Sequence, residues 1–171
     1  MRDLELRAQF LNLNEVPDDL LFLDESGFHT GRPGNRGQNV TFLCALTSRG
    51  PCAELVVDGG VDGDVFVTSV RQVPVPVVRE EQVVVEDNIA AHHHAEVRAL
   101  IEHAGAVFVL LPYAPDPNPI ELMFSKLKAA MRRLAERTRQ GVVNALPTAL
   151  DTISATDVQG WFKHARSLLL W

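Results

Sequence analysis

The sequence predicts an α/β domain, a mixed sheet covered by helices. Short apolar runs of strand length crowd its first half, and strand and helix alternate from Gln82 to Leu111. From Pro119 onward the apolar residues recur at helical spacing. With 171 residues, 46% apolar and 22% charged, the chain has the composition of one ordinary globular domain and not of a disordered tail or a fibre.

Leu20-Leu-Phe-Leu23 reads as a buried strand leading into a turn at Asp24-Glu25-Ser26-Gly27. Gly31-Arg-Pro-Gly-Asn-Arg-Gly37 lacks the Lys-Ser/Thr ending of a phosphate-binding loop, and no helix-forming segment follows it. It reads as a surface loop carrying Arg32 and Arg36. Val40 to Leu46 and Leu55 to Val57 form two strands joined by a turn at Ser48-Arg49-Gly50-Pro51. The acidic glycine turn from Asp58 to Gly63 does not fit calcium-loop spacing. Asp62 instead caps a helix carrying Val65, Phe66, Ser69 and Val70, which Pro74 and Pro76 end.

Gln82-Val-Val-Val-Glu86 is a second buried strand, and it too runs into an aspartate, Asp87. Ala95 to Ala104 is helical in character, Val107 to Leu111 is another strand, and Pro112 to Pro119 is a rigid connector. From Pro119 to about Arg137, Ile120, Met123, Phe124, Leu127, Met131 and Leu134 put one stripe of a long helix against the core. Residues 142–166 read as one or two further short helices, and no internal repeat is visible.

Sixteen Lys and Arg stand against 22 Asp and Glu, a formal net charge of −6, which argues against a uniformly basic nucleic-acid coat. The charge is uneven. Lys126, Lys128, Arg132, Arg133, Arg137 and Arg139 face only Glu136 in their window, a local basic stripe on an acidic body. The N-terminus is too charged for a signal-peptide core. The longest apolar run, Ala106 to Leu111, is far short of the roughly 20 residues that span a bilayer, so a cytoplasmic protein without a membrane partner is expected. Cys44 and Cys52 are too few for a disulfide framework and read as free, buried thiols.

Asp24 and Asp87 each end an apolar run. Side chains alternate along a strand, so Phe22 shares a face with Asp24 and Val85 with Asp87, while Glu25 and Glu86 point to the opposite face. On neighbouring strands the two aspartates would converge. Glu121 is the third candidate, although Asn118 as N-cap, Pro119 at the first helical position and Glu121 at the third also make a capping box. Glu121, Ser125, Lys128 and Arg132 lie on one side of that helix, away from its apolar stripe. Three neighbouring carboxylates repel one another unless cations neutralise them, and all-oxygen ligands suit magnesium or manganese. Two such ions roughly 4 Å apart serve the in-line displacement of a phosphodiester.

Three motifs sharpen this reading: Phe22-Leu-Asp-Glu-Ser-Gly27, Val85-Glu-Asp-Asn-Ile-Ala-Ala-His92, and Leu111-Pro-Tyr-Ala-Pro-Asp-Pro-Asn-Pro-Ile-Glu121 followed by Phe124-Ser-Lys-Leu-Lys128. In order and in the step of 34 residues from Asp87 to Glu121, the stretch from about Leu20 to Arg137 resembles the catalytic domain of mariner-type DDE transposases, in the bacterial insertion-sequence branch. The proline-rich connector ending in Asn-Pro-Ile-Glu is its most discriminating piece.

The resemblance implies an RNase H-like mixed sheet flanked by helices. It implies that Asp24, Asp87 and Glu121 are catalytic and bind two Mg2+, for which Mn2+ can substitute. Water would attack the backbone at the element's ends, and the freed 3′-hydroxyl would then attack target DNA. Asn88 and His92 match family positions beside the second aspartate, with buried hydrogen bonding as their other role. His93 and His94 read as solvated residues near a helix start, because three consecutive side chains cannot all face one ion. Arg32, Arg36, Lys128 and Arg132 are the candidate DNA-binding residues, chosen for charge and placement.

Residues 1–19 form a lead-in segment and 20–171 the catalytic domain, with the family's N-terminal helix-turn-helix domains absent. The partners implied are DNA, as transposon ends and target, together with a separate helix-turn-helix polypeptide and a homodimer. Two other functions remain open: a truncated, inactive transposon remnant that keeps the fold and binds DNA or protein, and a nuclease or resolvase on the same fold.

Overall fold

The structure is a computed structural model that describes residues 20–30, 39–87, 94–111 and 118–169. Residues 1–19, the loop with Arg32 and Arg36, the positions of Asn88, His92 and His93, and most of the proline-rich connector lie outside the described residues.

Five strands form one sheet in the order β3-β2-β1-β4-β5: β1 Leu20–His29, β2 Asn39–Thr47, β3 Gly50–Asp58, β4 Val83–Asp87 and β5 Val107–Leu111. The first three pair antiparallel, whereas β4 and β5 add parallel to β1, giving the mixed sheet that the order of elements predicts. β2 is apolar almost throughout and is buried from Val40 to Leu46, as a strand covered on both faces must be. It meets β3 through the two-residue turn Ser48-Arg49, closed by Gly50 at φ 127°, a backbone angle that favours glycine.

β1 departs from expectation. Asp24 to Gly27 is not a turn: the strand continues to His29, because Ser26 and Phe28 pair with Phe42 and Val40 of β2 and are themselves buried. The turn residues lost to a long-range ladder that a local reading cannot see. β3 likewise extends on both sides of Leu55–Val57.

Helices cover both faces. On one lie α1, Gly63–Gln72, and α2, His94–His103, packed over Leu21, Leu23, Val84 and Phe108. Asp62 caps α1 by accepting from the Val65 N–H, as its position in the sequence predicts. On the other face lie α3 Pro119–Leu134, α4 Arg139–Leu150 and α5 Ala155–Leu169. They bury Phe22, Phe42 and Val85 under Ile120, Met123, Leu127 and Phe162. Edge-to-face ring pairs, Phe22 with Phe162 at 5.5 Å and Phe42 with Phe124 at 6.4 Å, fix the helices to this face.

α3 stops at Leu134, three residues before the expected end, where Ala135 turns left-handed at φ 53° and its N–H bonds the Met131 carbonyl. α5 opens with a reciprocal cap: the Asp157 carboxylate accepts from the Ser154 N–H, and the Ser154 hydroxyl accepts from the Asp157 N–H. Among the described residues no helix is long and apolar enough to cross a membrane.

Candidate functional site

The parallel ladder between β1 and β4 aligns Leu20 with Val83, Phe22 with Val85 and Leu23 with Glu86. Asp24 and Asp87 follow immediately, at matching places on adjacent strands. Phe22 and Val85 belong to the core beneath α3, so period-two alternation assigns Asp24 to that same face, and Asp87 holds the corresponding backbone position at the end of β4. Glu25 and Glu86 fall on the other, as expected. Glu86 is buried there and has interaction partners of its own.

The third candidate carboxylate, Glu121, lies in the first turn of α3. Asn118 accepts from the Ile120 and Glu121 N–H groups, and Pro119 occupies the first helical position, so the start of α3 is fixed locally. The direction of α3 follows from two contacts. Phe124 meets Phe42, which stands level with Ser26 on β1, and Met131 lines one groove with Phe28. The helix therefore runs the same way as β1, with Glu121 one turn before Phe124.

Asp24 and Glu121 are both half-buried, and each has interaction partners; the Glu25 N–H donates to Asp24 Oδ1 at 2.8 Å. Asp87 is described through its backbone, as the last residue of β4 opposite Leu111. Among the described side chains no group of three metal-ligating residues gathers.

The neighbour of Asp24 across the antiparallel ladder is Cys44, which sequence reasoning did not connect with the site. Its thiol is buried and lies 3.3 Å from the Ala45 carbonyl and 3.7 Å from that of Cys52. Burial, with Glu54 and Cys52 nearby, pushes it well above the usual thiol range. The three candidate ligands, Asp24, Asp87 and Glu121, are all carboxylates and therefore oxygen donors. The donor set accordingly suits Mg2+ or Mn2+. Cys44 and Cys52 are both free; Cys44 is buried as expected, whereas Cys52 is half-buried.

The basic stripe divides by destination. Lys126 turns to Asp157 at 2.5 Å, and Arg139 reaches back to Asp58 at 2.8 Å. Lys128 and Arg132 instead line a groove with Arg137, between the end of β1 and the second half of α3. Of the four expected DNA contacts, Lys128 and Arg132 are thus brought together. Arg137 belongs beside them, and its signal in the sequence was membership of the charge run.

The mixed sheet, with an aspartate following the registered positions of each of two adjacent strands, sets the frame for comparison with known proteins. Residues 30–141 match the family model described as DDE superfamily endonuclease, and the chain belongs to that family. The matched stretch includes Asp87 and Glu121 and begins six residues after Asp24. No curated protein matches the chain.

Among solved structures, the Mos1 strand transfer complex superposes with a TM-score of 0.72 at 12% identity, covering 97% of this chain and 56% of that one. The catalytic domain of Mos1 mariner transposase gives 0.68 at 12% identity, with 97% and 85% covered. The Mos1 catalytic domain with raltegravir and Mg gives 0.67 at 13% identity, with 97% and 87% covered. At these identities the likeness establishes the RNase H-like fold. The chain spans a little over half the length of the transposase in the strand transfer complex.

Proposed function

We propose that residues 20–171 are the catalytic domain of a DNA transposase in which Asp24, Asp87 and Glu121 form one binding site for two Mg2+ ions. The observation that carries this reading is the register of β1 against β4. It supports the reading by setting Asp24 and Asp87 at matching backbone positions of adjacent strands, while the first turn of α3 carries Glu121. Bound there, the ions would supply Lewis-acid polarisation of the scissile phosphate and of its attacking oxygen. The reaction is hydrolysis of the phosphodiester at a transposon end, which frees a 3′-hydroxyl, followed by attack of that hydroxyl on a phosphodiester of target DNA.

The chain's own contribution is placement. β1 and β4 are central strands with buried flanks, so the first two carboxylates stand on a rigid base. Asn118 and Pro119 fix the first turn of α3 and so the entry of Glu121. Lys128 and Arg132, one side of the same helix, hold the DNA backbone. Asn88 and His92 support the second aspartate, and Arg32 and Arg36 add phosphate contacts. A helix-turn-helix polypeptide recognises the element's ends, and a second copy of the chain brings two ends together.

The test uses supercoiled plasmid with Mg2+ or Mn2+, and a 3′-hydroxyl oligonucleotide carrying the end sequence. Metal-dependent nicking that Asp87→Ala abolishes, together with joining of the oligonucleotide to plasmid, supports the proposal. Absence of both with folded protein overturns it in favour of an inactive remnant. Nicking without joining assigns the chain to nucleases of the same fold.

A further inference from the structure

Past the carboxylates, the end of β1 and the second half of α3 enclose a groove of about 390 Å³. Its floor is apolar, made by the buried residues Phe28, Met131 and Val142, and its rim carries Lys128, Arg132 and Arg137. Among the described residues none of these three cations has an ion-pair or hydrogen-bond partner, unlike Lys126 and Arg139 from the same basic run. The acid in the groove, Glu136, forms no ion pair with them among the described residues. Its carboxylate lies over the first turn of α4, where a Cβ on Gly141 would collide with it. A carboxylate is favoured at a helix start by the partial positive charge there. The groove is thus left cationic at its rim and apolar at its base.

Its distance from the acids is set by the chain. Three strand residues separate Asp24 from Gly27, about 10 Å, and seven helical residues separate Glu121 from Lys128, also about 10 Å. One or two nucleotide steps bridge that gap. A concavity at the small end of the roughly 300–1,000 Å³ range of ligand pockets admits a nucleotide or two and not a duplex. Cations flanking an apolar surface are also the pattern of single-strand binding, in which phosphates meet charge and base faces meet apolar side chains.

We infer that this groove holds an unpaired stretch of DNA strand leading away from the carboxylates. Its phosphates lie on Lys128, Arg132 and Arg137, and a base rests on Phe28 and Met131. The inference rests on DNA being the substrate and deepens that reading by naming the strand form the site receives.

Fluorescence anisotropy in EDTA tests it without catalysis. The full chain is titrated with labelled dT8, with an abasic octamer of equal charge, and with a blunt duplex of eight base pairs. The expected order is dT8 tighter than the abasic octamer and tighter than the duplex, each by at least 5-fold. Arg132→Ala combined with Arg137→Ala should weaken dT8 at least 10-fold and reduce the slope of log K against log salt by about 1.4, since each single-strand phosphate contact contributes about 0.7.

Lys128→Gln gives an independent third point, with a slope smaller by about 0.7. Circular dichroism melts confirm that each variant is folded. Equal or tighter binding of the duplex, equal binding of the abasic octamer, or an unchanged salt slope in the variants overturns the inference. A chain that nicks plasmid but prefers duplex here refutes only the groove. One that binds dT8 as expected but never nicks refutes only the proposed activity.

Discussion

Phe22 of β1 stands level with Val85 of β4 in a parallel ladder, and both are buried beneath α3. Two residues further along each strand come Asp24 and Asp87. A parallel pair has the same chain direction in both strands, so equal steps from a registered pair arrive at neighbouring positions on one face. A one-residue slip would send one carboxylate through the sheet to the face of Glu86. The buried apolar residues on both faces of β1 are what make such a slip costly.

Glu121 holds two roles that one substitution separates. Glu121→Gln keeps the size and polarity of the side chain and leaves the Asn118 cap in place, so melting should move by less than about 2 °C, within the range of an ordinary surface change of about 0.5 kcal/mol. Metal-dependent nicking should fall at least 100-fold. Asn118→Ala is the structural control and should cost about 1 kcal/mol. If Glu121→Gln melts as low as Asn118→Ala, the carboxylate serves chiefly the helix.

Acid should loosen the junction of α3 and α5. Hydrogen bonds from Lys126 and Ser154 hold the Asp157 carboxyl at about 2, below its ordinary 3.8. A depressed carboxyl stabilises the folded state fully above its unfolded value, and that contribution is lost as pH falls through the folded value. The melting gap between the native chain and Asp157→Asn should therefore be constant near neutral pH and close between about pH 4 and pH 2. A gap that persists at pH 2 contradicts this. The pair is only half-buried, so the gap should also shrink in high salt.

Ala135 ends α3 in the left-handed region without a glycine. Ala135→Gly should relieve that strain, offset in part by glycine's larger entropy in the unfolded chain, for a net gain of about 0.5–1 kcal/mol or about 1–4 °C. Thermal melts measure it. A lower melting temperature would mean that the turn is held by contacts of the alanine methyl.

Leu127 is fully buried where α3 meets the sheet. Leu127→Ala should cost about 2–5 kcal/mol by denaturant unfolding. A loss under 1 kcal/mol would show that α3 is not seated on this core and would undermine the placement of Glu121.

Features set by neighbours in sequence were legible. The Asp62 cap, the limits of β5, and the Asn118-Pro119 start of α3 all follow from residues within one turn of one another. The extension of β1 through Ser26 and Phe28 was not, because burial there comes from β2, a partner distant in the chain. The early end of α3 escaped for a related reason. Nothing in Ala135 announces a left-handed residue, and the helical period continues past it. The Ser154-Asp157 cap was local and readable, yet the weak apolar pattern of residues 142–166 hid its boundary. At the candidate site, the matching strand positions of the aspartates depend on the pairing of β1 with β4, which alternation along each strand cannot supply. The groove was not legible either, since Arg137 reaches it only through the turn at Ala135.

The most direct test of the central claim is calorimetric titration with Mn2+. The native chain should bind two ions, and Asp24→Asn, Asp87→Asn and Glu121→Gln should each weaken that binding at least 10-fold while melting cooperatively. Native-like Mn2+ binding by a folded Asp87→Asn variant would contradict the account, because the three carboxylates would then not share a site.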